Sequence, residues 1–135
     1  MTTAVTSPTM AMQPTLALGR PRFEDTAIAQ VASARGAAAA WGAAMSGDDP
    51  AKVLNGVTGD FAVGLVDARG RTVLAVDRFA VRTLCYRVID GRLHFAERAD
   101  ELAALPPRAG IDPQAIFDYL YFHVIPSPRT IFQGV

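Results

Sequence analysis

Residues 57–97 read VTGDFAVGLVDARGRTVLAVDRFAVRTLCYRVIDGRLHFAE, short runs of Val, Leu, Ile and Phe separated by tight polar turns. The turns fall at Asp67-Ala68-Arg69-Gly70 and at Asp90-Gly91. An Asp-Gly pair between apolar runs is a strong hairpin signal, because both turn residues must tolerate positive φ. The spacing therefore predicts a meander of about four antiparallel strands. Strand neighbours alternate faces with period two, which places Phe61, Val63, Leu65, Val73, Ala75, Leu84, Tyr86 and Phe95 on the inward side.

Helical signals flank the meander. Thr15-Leu16-Ala17-Leu18 is one short strand ending at Gly19. Pro21 and the acidic pair Glu24-Asp25 then begin a helix, with carboxylates at the positive end of its dipole. Ala27, Ile28, Val31 and Ala32 recur at helical spacing, and Gly36 stops the run. Residues 37–45, rich in alanine, form a second helix. Asp48-Asp49-Pro50 opens a short third one through Leu54, with proline at the first turn, where no hydrogen-bond donor is lost. Residues 98–105 make a brief helical turn ended by Pro106-Pro107. Asp112-Pro113 starts a helix whose Ile116, Phe117, Leu120 and Tyr121 share one apolar face. Residues 129–132 form a last strand. The fold class is α+β, with residues 1–14 a flexible N-terminal arm and 15–135 one domain.

Composition narrows the function classes. A chain of 135 residues can bury a core without staples. Thirteen basic residues balance thirteen acidic ones, so nothing attracts nucleic acid or an anionic membrane. The single cysteine, Cys85, excludes an internal disulfide framework and any multi-cysteine zinc site. His94 and His123 lie far apart, without a recognisable ligand spacing. The longest apolar stretch, residues 36–45, is too short to span a bilayer, and residues 1–12 lack the features of a secretory signal. A cytoplasmic location is the default expectation.

Four runs occur in a telling order: Gly59-Asp60-Phe61-Ala62; residues 76–86, VDRFAVRTLCY; residues 93–98, LHFAER; and residues 126–132, PSPRTIF. Together they resemble the N-terminal domain of asparagine synthases, where the runs look like G-x-F-A-x-x-x-x-D, R-D-x-x-G-x-[KR]-P-L-Y-Y, F-A-S-E and V-P-x-P-x-T-I-[FY]. The resemblance covers roughly residues 56–135. It implies a class II glutamine amidotransferase-like domain, part of the four-layer αββα sandwich of N-terminal-nucleophile hydrolases. It also implies a longer protein, continuing into a ligase domain that uses ATP and Mg²⁺. No S-G-G-x-D-S-type pyrophosphate loop occurs in these residues, and the chain stops at Val135 without a polar tail, so a fragment of such a protein is expected.

The glutaminase chemistry implied by that family needs a cysteine exposed by removal of the initiator methionine. This chain opens Met1-Thr2-Thr3-Ala4, without the family's M-C-G-I-x-G. A nucleophilic Thr2 is the remaining alternative, against an ordinary processed terminus. The family's H-R-G-P-D and R-L-S-I-I-D runs have no match. Its N-G-E-I-Y-N falls on residues 18–23, LGRPRF, where only Gly19 is kept. Its S-D-T-E falls near residues 34–37, ARGA, placing Arg35 where an aspartate should attract the substrate ammonium. No catalytic, cofactor-binding or metal-binding residue is therefore assigned in this chain.

The remaining chemistry-bearing residues have plain structural readings. Cys85 is a buried structural thiol. Asp77, Arg78 and Arg82 organise a turn, His94 points outward from a half-buried strand, and Arg20 and Arg22 lie on a solvated surface. Residues 117–122, FDYLYF, are too aromatic for one buried face, so part of them should meet another domain or subunit. The expected role is a glutaminase-inactive structural or docking domain, contacting a ligase domain, or a second copy, through residues 112–135. The rivals are a free-standing interaction or regulatory module and a Thr2-dependent amidohydrolase.

Overall fold

The computed structural model describes residues 15–47, 49–67 and 69–135; the N-terminal arm and Thr2 lie outside them. The first elements are β1 (Thr15–Gly19), β2 (Arg22–Phe23), α1 (Thr26–Arg35), α2 (Ala37–Ala44) and α3 (Pro50–Asn55). Then follow β3 (Val57–Thr58), β4 (Phe61–Val66), β5 (Thr72–Val76), β6 (Cys85–Ile89), β7 (Arg92–Ala96), α4 (Ala99–Ala103) and α5 (Pro113–Phe122). The expected α+β class holds. Asp25, Asp49 and Asp112 cap α1, α3 and α5 through their carboxylates, as the sequence indicated.

One bent ribbon organises the domain. β1 pairs antiparallel with β4, Gly19 opposite Phe61, and β2 pairs with β3, Arg22 opposite Thr58. The register runs unbroken between the two pairs, and the Arg20 N–H donates to the Asp60 carbonyl at 2.7 Å. The ribbon turns its corner at two glycines. A Cβ on Gly19 would lie 2.2 Å from the Asp60 oxygen, and one on Gly59 2.5 Å from the Arg20 oxygen. Both take positive φ, +80° and +93°, so the corner requires glycine on each strand.

Layers stack on both faces of the sheet β1-β4-β5. Phe61, Val63 and Leu65 face Trp41 and Met45 of the α2 region, and this cluster is the core. Trp41 is fully buried, with the Phe23 ring edge-on at 5.0 Å and Phe61 tilted at 5.3 Å. The opposite face presents Gly64 to the Phe95 ring of the hairpin β6-β7. Helix α4 packs on that hairpin in turn. The order is helix, sheet, hairpin, helix, and it explains why residues 61–65 are buried without alternation.

Three expectations are corrected. The meander is broken, since β5 does not pair with β6. Asp77 takes the N–H groups of Phe79, Val81 and Arg82 that a continuing strand would offer to a neighbour, and the chain leaves the sheet there. Ala80 adopts φ +48° in this loop, at the place where the resembled motif R-D-x-x-G carries glycine. In β6 the facing is reversed: Tyr86 is 47% exposed, and Arg87 is the buried residue. Its guanidinium donates to the carbonyls of Leu102 (3.0 Å), Leu105 (3.1 Å) and Pro107 (2.6 Å); Leu102 also accepts the Leu105 N–H, while the acceptors of Leu105 and Pro107 would otherwise be left open where α4 ends. That need decides which face turns inward. Finally, residues 129–132 form no strand, only the bridge Ile111–Phe132. The Phe132 N–H goes instead to Thr130 Oγ1 at 3.1 Å, a donor that a ladder would have used.

Helix α5 also turns its other side inward. Ala115 and Asp118 are its buried residues, while Phe117, Leu120 and Tyr121 are 58%, 71% and 70% exposed. The Asp118 carboxylate accepts from Gln114 Nε2 (2.7 Å) and from Arg129 Nη1 (3.0 Å), fastening the C-terminal segment to the helix.

Candidate functional site

A polar cleft of about 400 Å³ opens at the corner of the ribbon, lined by Leu18, Gly19, Arg20, Arg82, Thr83 and Glu97, with Val81. Each wall follows from local structure. The glycine corner exposes Leu18 to Arg20 at the end of β1. The loop after β5 brings in Val81 to Thr83, and Glu97 follows β7 at the end of the hairpin where Thr83 precedes β6.

Asp77 builds the second wall. Its buried carboxylate accepts the N–H groups of Phe61 (3.2 Å), Phe79 (2.9 Å), Val81 (3.1 Å) and Arg82 (3.3 Å). Burial alone would push its pKa up, but these N–H bonds outweigh that and hold it below the usual carboxylate value. The carboxylate is thus spent on the loop, in keeping with its reading as a turn organiser. Arg82 is fixed twice, through that N–H and through Nε, which donates to Asp60 Oδ2 at 3.3 Å. Asp67 does for the β4–β5 turn what Asp77 does for the loop, accepting from the Arg69 and Arg71 N–H groups, both at 2.9 Å.

The residues singled out in the sequence separate in space. Gly19 and Arg20 line the cleft. Arg35 lies at the exposed end of α1 and is not among the lining residues. Cys85 is half-buried rather than buried. Burial, with the nearby Asp100 and Glu101 carboxylates, pushes its thiol pKa up, so the reactive thiolate is disfavoured. His94 is half-buried within β7, and His123 caps α5 in the left-handed conformation. Among the described residues no three His, Cys, Asp or Glu side chains are grouped to hold a metal ion. The sequence reading missed the meeting of Arg20 with Arg82 and Thr83, for which there was no local signal.

A second hollow of about 460 Å³ beside α1–α3 combines apolar residues, among them Phe23, Ile28, Val53 and Val57, with Glu24, Asp25, Ser46 and Lys52, and the Asp25 carboxylate is already spent capping α1.

Residues 43–135 match the glutamine amidotransferase domain family, and the chain belongs to that family. The match starts within α2 and takes in β3–β7, α4 and α5. Strand β1 lies outside it, yet its pairing with β4 fixes Gly19 beside the matched residues. No curated protein and no solved structure matches the chain. Among the described residues no helix is long and apolar enough to cross a membrane.

Proposed function

We propose that this domain does not hydrolyse glutamine and serves as the docking domain of an asparagine synthase-type, amide-forming ligase. The observation that carries the reading is the cleft at Gly19. Where the resembled N-G-E run would supply an amide donor and an acid, this chain has Leu18 and Arg20. Leucine cannot donate to an oxyanion, and a guanidinium repels the ammonium of glutamine. Covalent catalysis without a nucleophile and without these groups retains little beyond weak binding.

The exposed aromatic side of α5 supports the docking role. Phe117 and Tyr121 stack at 6.0 Å, with Tyr121 edge-on to Phe122 at 4.8 Å, forming a continuous apolar surface. The Asp118–Arg129 pair ties the C-terminal stretch back onto α5, so a partner would meet a segment whose own shape is already set. ATP and Mg²⁺ would belong to the ligase domain, in the cytoplasm.

Incubation with glutamine should release no glutamate, and an electrophilic glutamine analogue should leave the mass unchanged. Stoichiometric labelling of Thr2 would refute the proposal and favour an amidohydrolase.

A further inference from the structure

We infer that the corner cleft binds the carboxylate of a small hydroxy acid between the guanidinium groups of Arg20 and Arg82. The two arginines are distant in the chain and are brought together by one residue. The Asp60 carbonyl takes the Arg20 N–H at 2.7 Å, and the Asp60 carboxylate takes Arg82 Nε at 3.3 Å. Arg82 thereby spends Nε and keeps its terminal Nη groups, which have no other partner among the described residues. Arg20 has no side-chain partner there, nor has the Thr83 hydroxyl.

The donors suit an oxyanion. A planar guanidinium fork matches a carboxylate in two parallel hydrogen bonds, and a second guanidinium with a hydroxyl completes its coordination. The backbone beneath is rigid, pinned by the glycine corner and by four N–H bonds to Asp77. Pre-set donors lose little freedom on binding.

Glu97 sets the class of anion. It lines the same cleft with no hydrogen-bond partner among the described residues, beyond a through-space attraction to Arg98, so it opposes a second negative charge and accepts a hydrogen bond from a neutral donor. A monocarboxylate with a hydroxyl meets both demands; a phosphate dianion brings the second negative charge that Glu97 opposes.

Glycolate, acetate and inorganic phosphate are titrated separately into the protein at constant ionic strength, with backbone amide shifts as the readout. Glycolate should saturate, moving Gly19, Arg20 and Thr83, with acetate weaker and phosphate weakest. Arg20→Gln and Arg82→Lys should each weaken glycolate roughly tenfold, the loss of one charge-assisted pair. Arg82→Lys keeps the charge and removes the fork, and unchanged Trp41 emission verifies that each variant is folded. Glu97→Gln should bring phosphate toward glycolate. Failure of glycolate to saturate, or equal affinity in both arginine variants and the parent, overturns the site. Arginine-dependent binding that prefers phosphate overturns the hydroxy-acid assignment.

Discussion

Adding one methyl group at Gly64 tests the layered architecture directly. A Cβ there would lie 2.5 Å from Cδ2, 2.7 Å from Cε2 and 2.9 Å from Cγ of Phe95. Ordinary carbon contacts begin near 3.5 Å, so the ring must retreat by about 1 Å. Phe95 is only 5% exposed and has little room to do so. Overpacking of this kind costs about 1–3 kcal/mol. Replacing a strand glycine returns about 0.5–1 kcal/mol through the unfolded chain. Gly64→Ala should therefore destabilise by about 1–2 kcal/mol, lowering the melting temperature by roughly 4–8 °C. Phe95→Ala alone should cost about 3–5 kcal/mol. In that background the Gly64 methyl enters space the ring has vacated, so its effect should become neutral or stabilising, a coupling of about 1–3 kcal/mol. Urea melts followed by the emission of Trp41, the single tryptophan and fully buried, measure all four corners of the cycle. If Gly64→Ala has the parent midpoint, or costs the same with and without Phe95, the hairpin does not pack on that face of the sheet.

Other consequences follow from single contacts. Arg87→Met should cost about 1–3 kcal/mol, because it removes the charged donor shared by the carbonyls of Leu102, Leu105 and Pro107, and Arg87→Lys should recover part of it; the same urea melts read both. Because the folded-state pKa of Asp77 is depressed, its contribution is complete above the ordinary carboxylate range and is lost as pH falls below about 4. Melting temperature plotted against pH should drop there, and Asp77→Asn should flatten that limb while lowering stability at neutral pH. The exposed face of α5 should drive self-association of the isolated chain, and Leu120→Glu should shift light-scattering mass toward the monomer with little change in melting temperature.

Local chemistry made much of this molecule legible in the sequence alone. The aspartate caps before α1, α3 and α5, the Asp90-Gly91 turn with φ of +48° and +73°, and the buried positions Phe61, Val63, Leu65 and Phe95 depend on near neighbours and on period two. The ordered runs pointed to an amidotransferase-like domain for the same reason, since each lies within one short segment. What tertiary structure decided involves groups far apart in the chain. The open carbonyls after α4 chose Arg87 over Tyr86 as the inward residue of β6, and Asp77 ended the meander by taking N–H groups before a neighbouring strand could. Trp41, in an alanine-rich helix read from propensity, became the centre of the core because β4 faces it. Arg20 is exposed, as the sequence indicated, but it also lines a cleft with Arg82 because two glycines bend the ribbon there. A residue's periodicity describes its own strand or helix; the unsatisfied donor or acceptor waiting on another element determines what it does there.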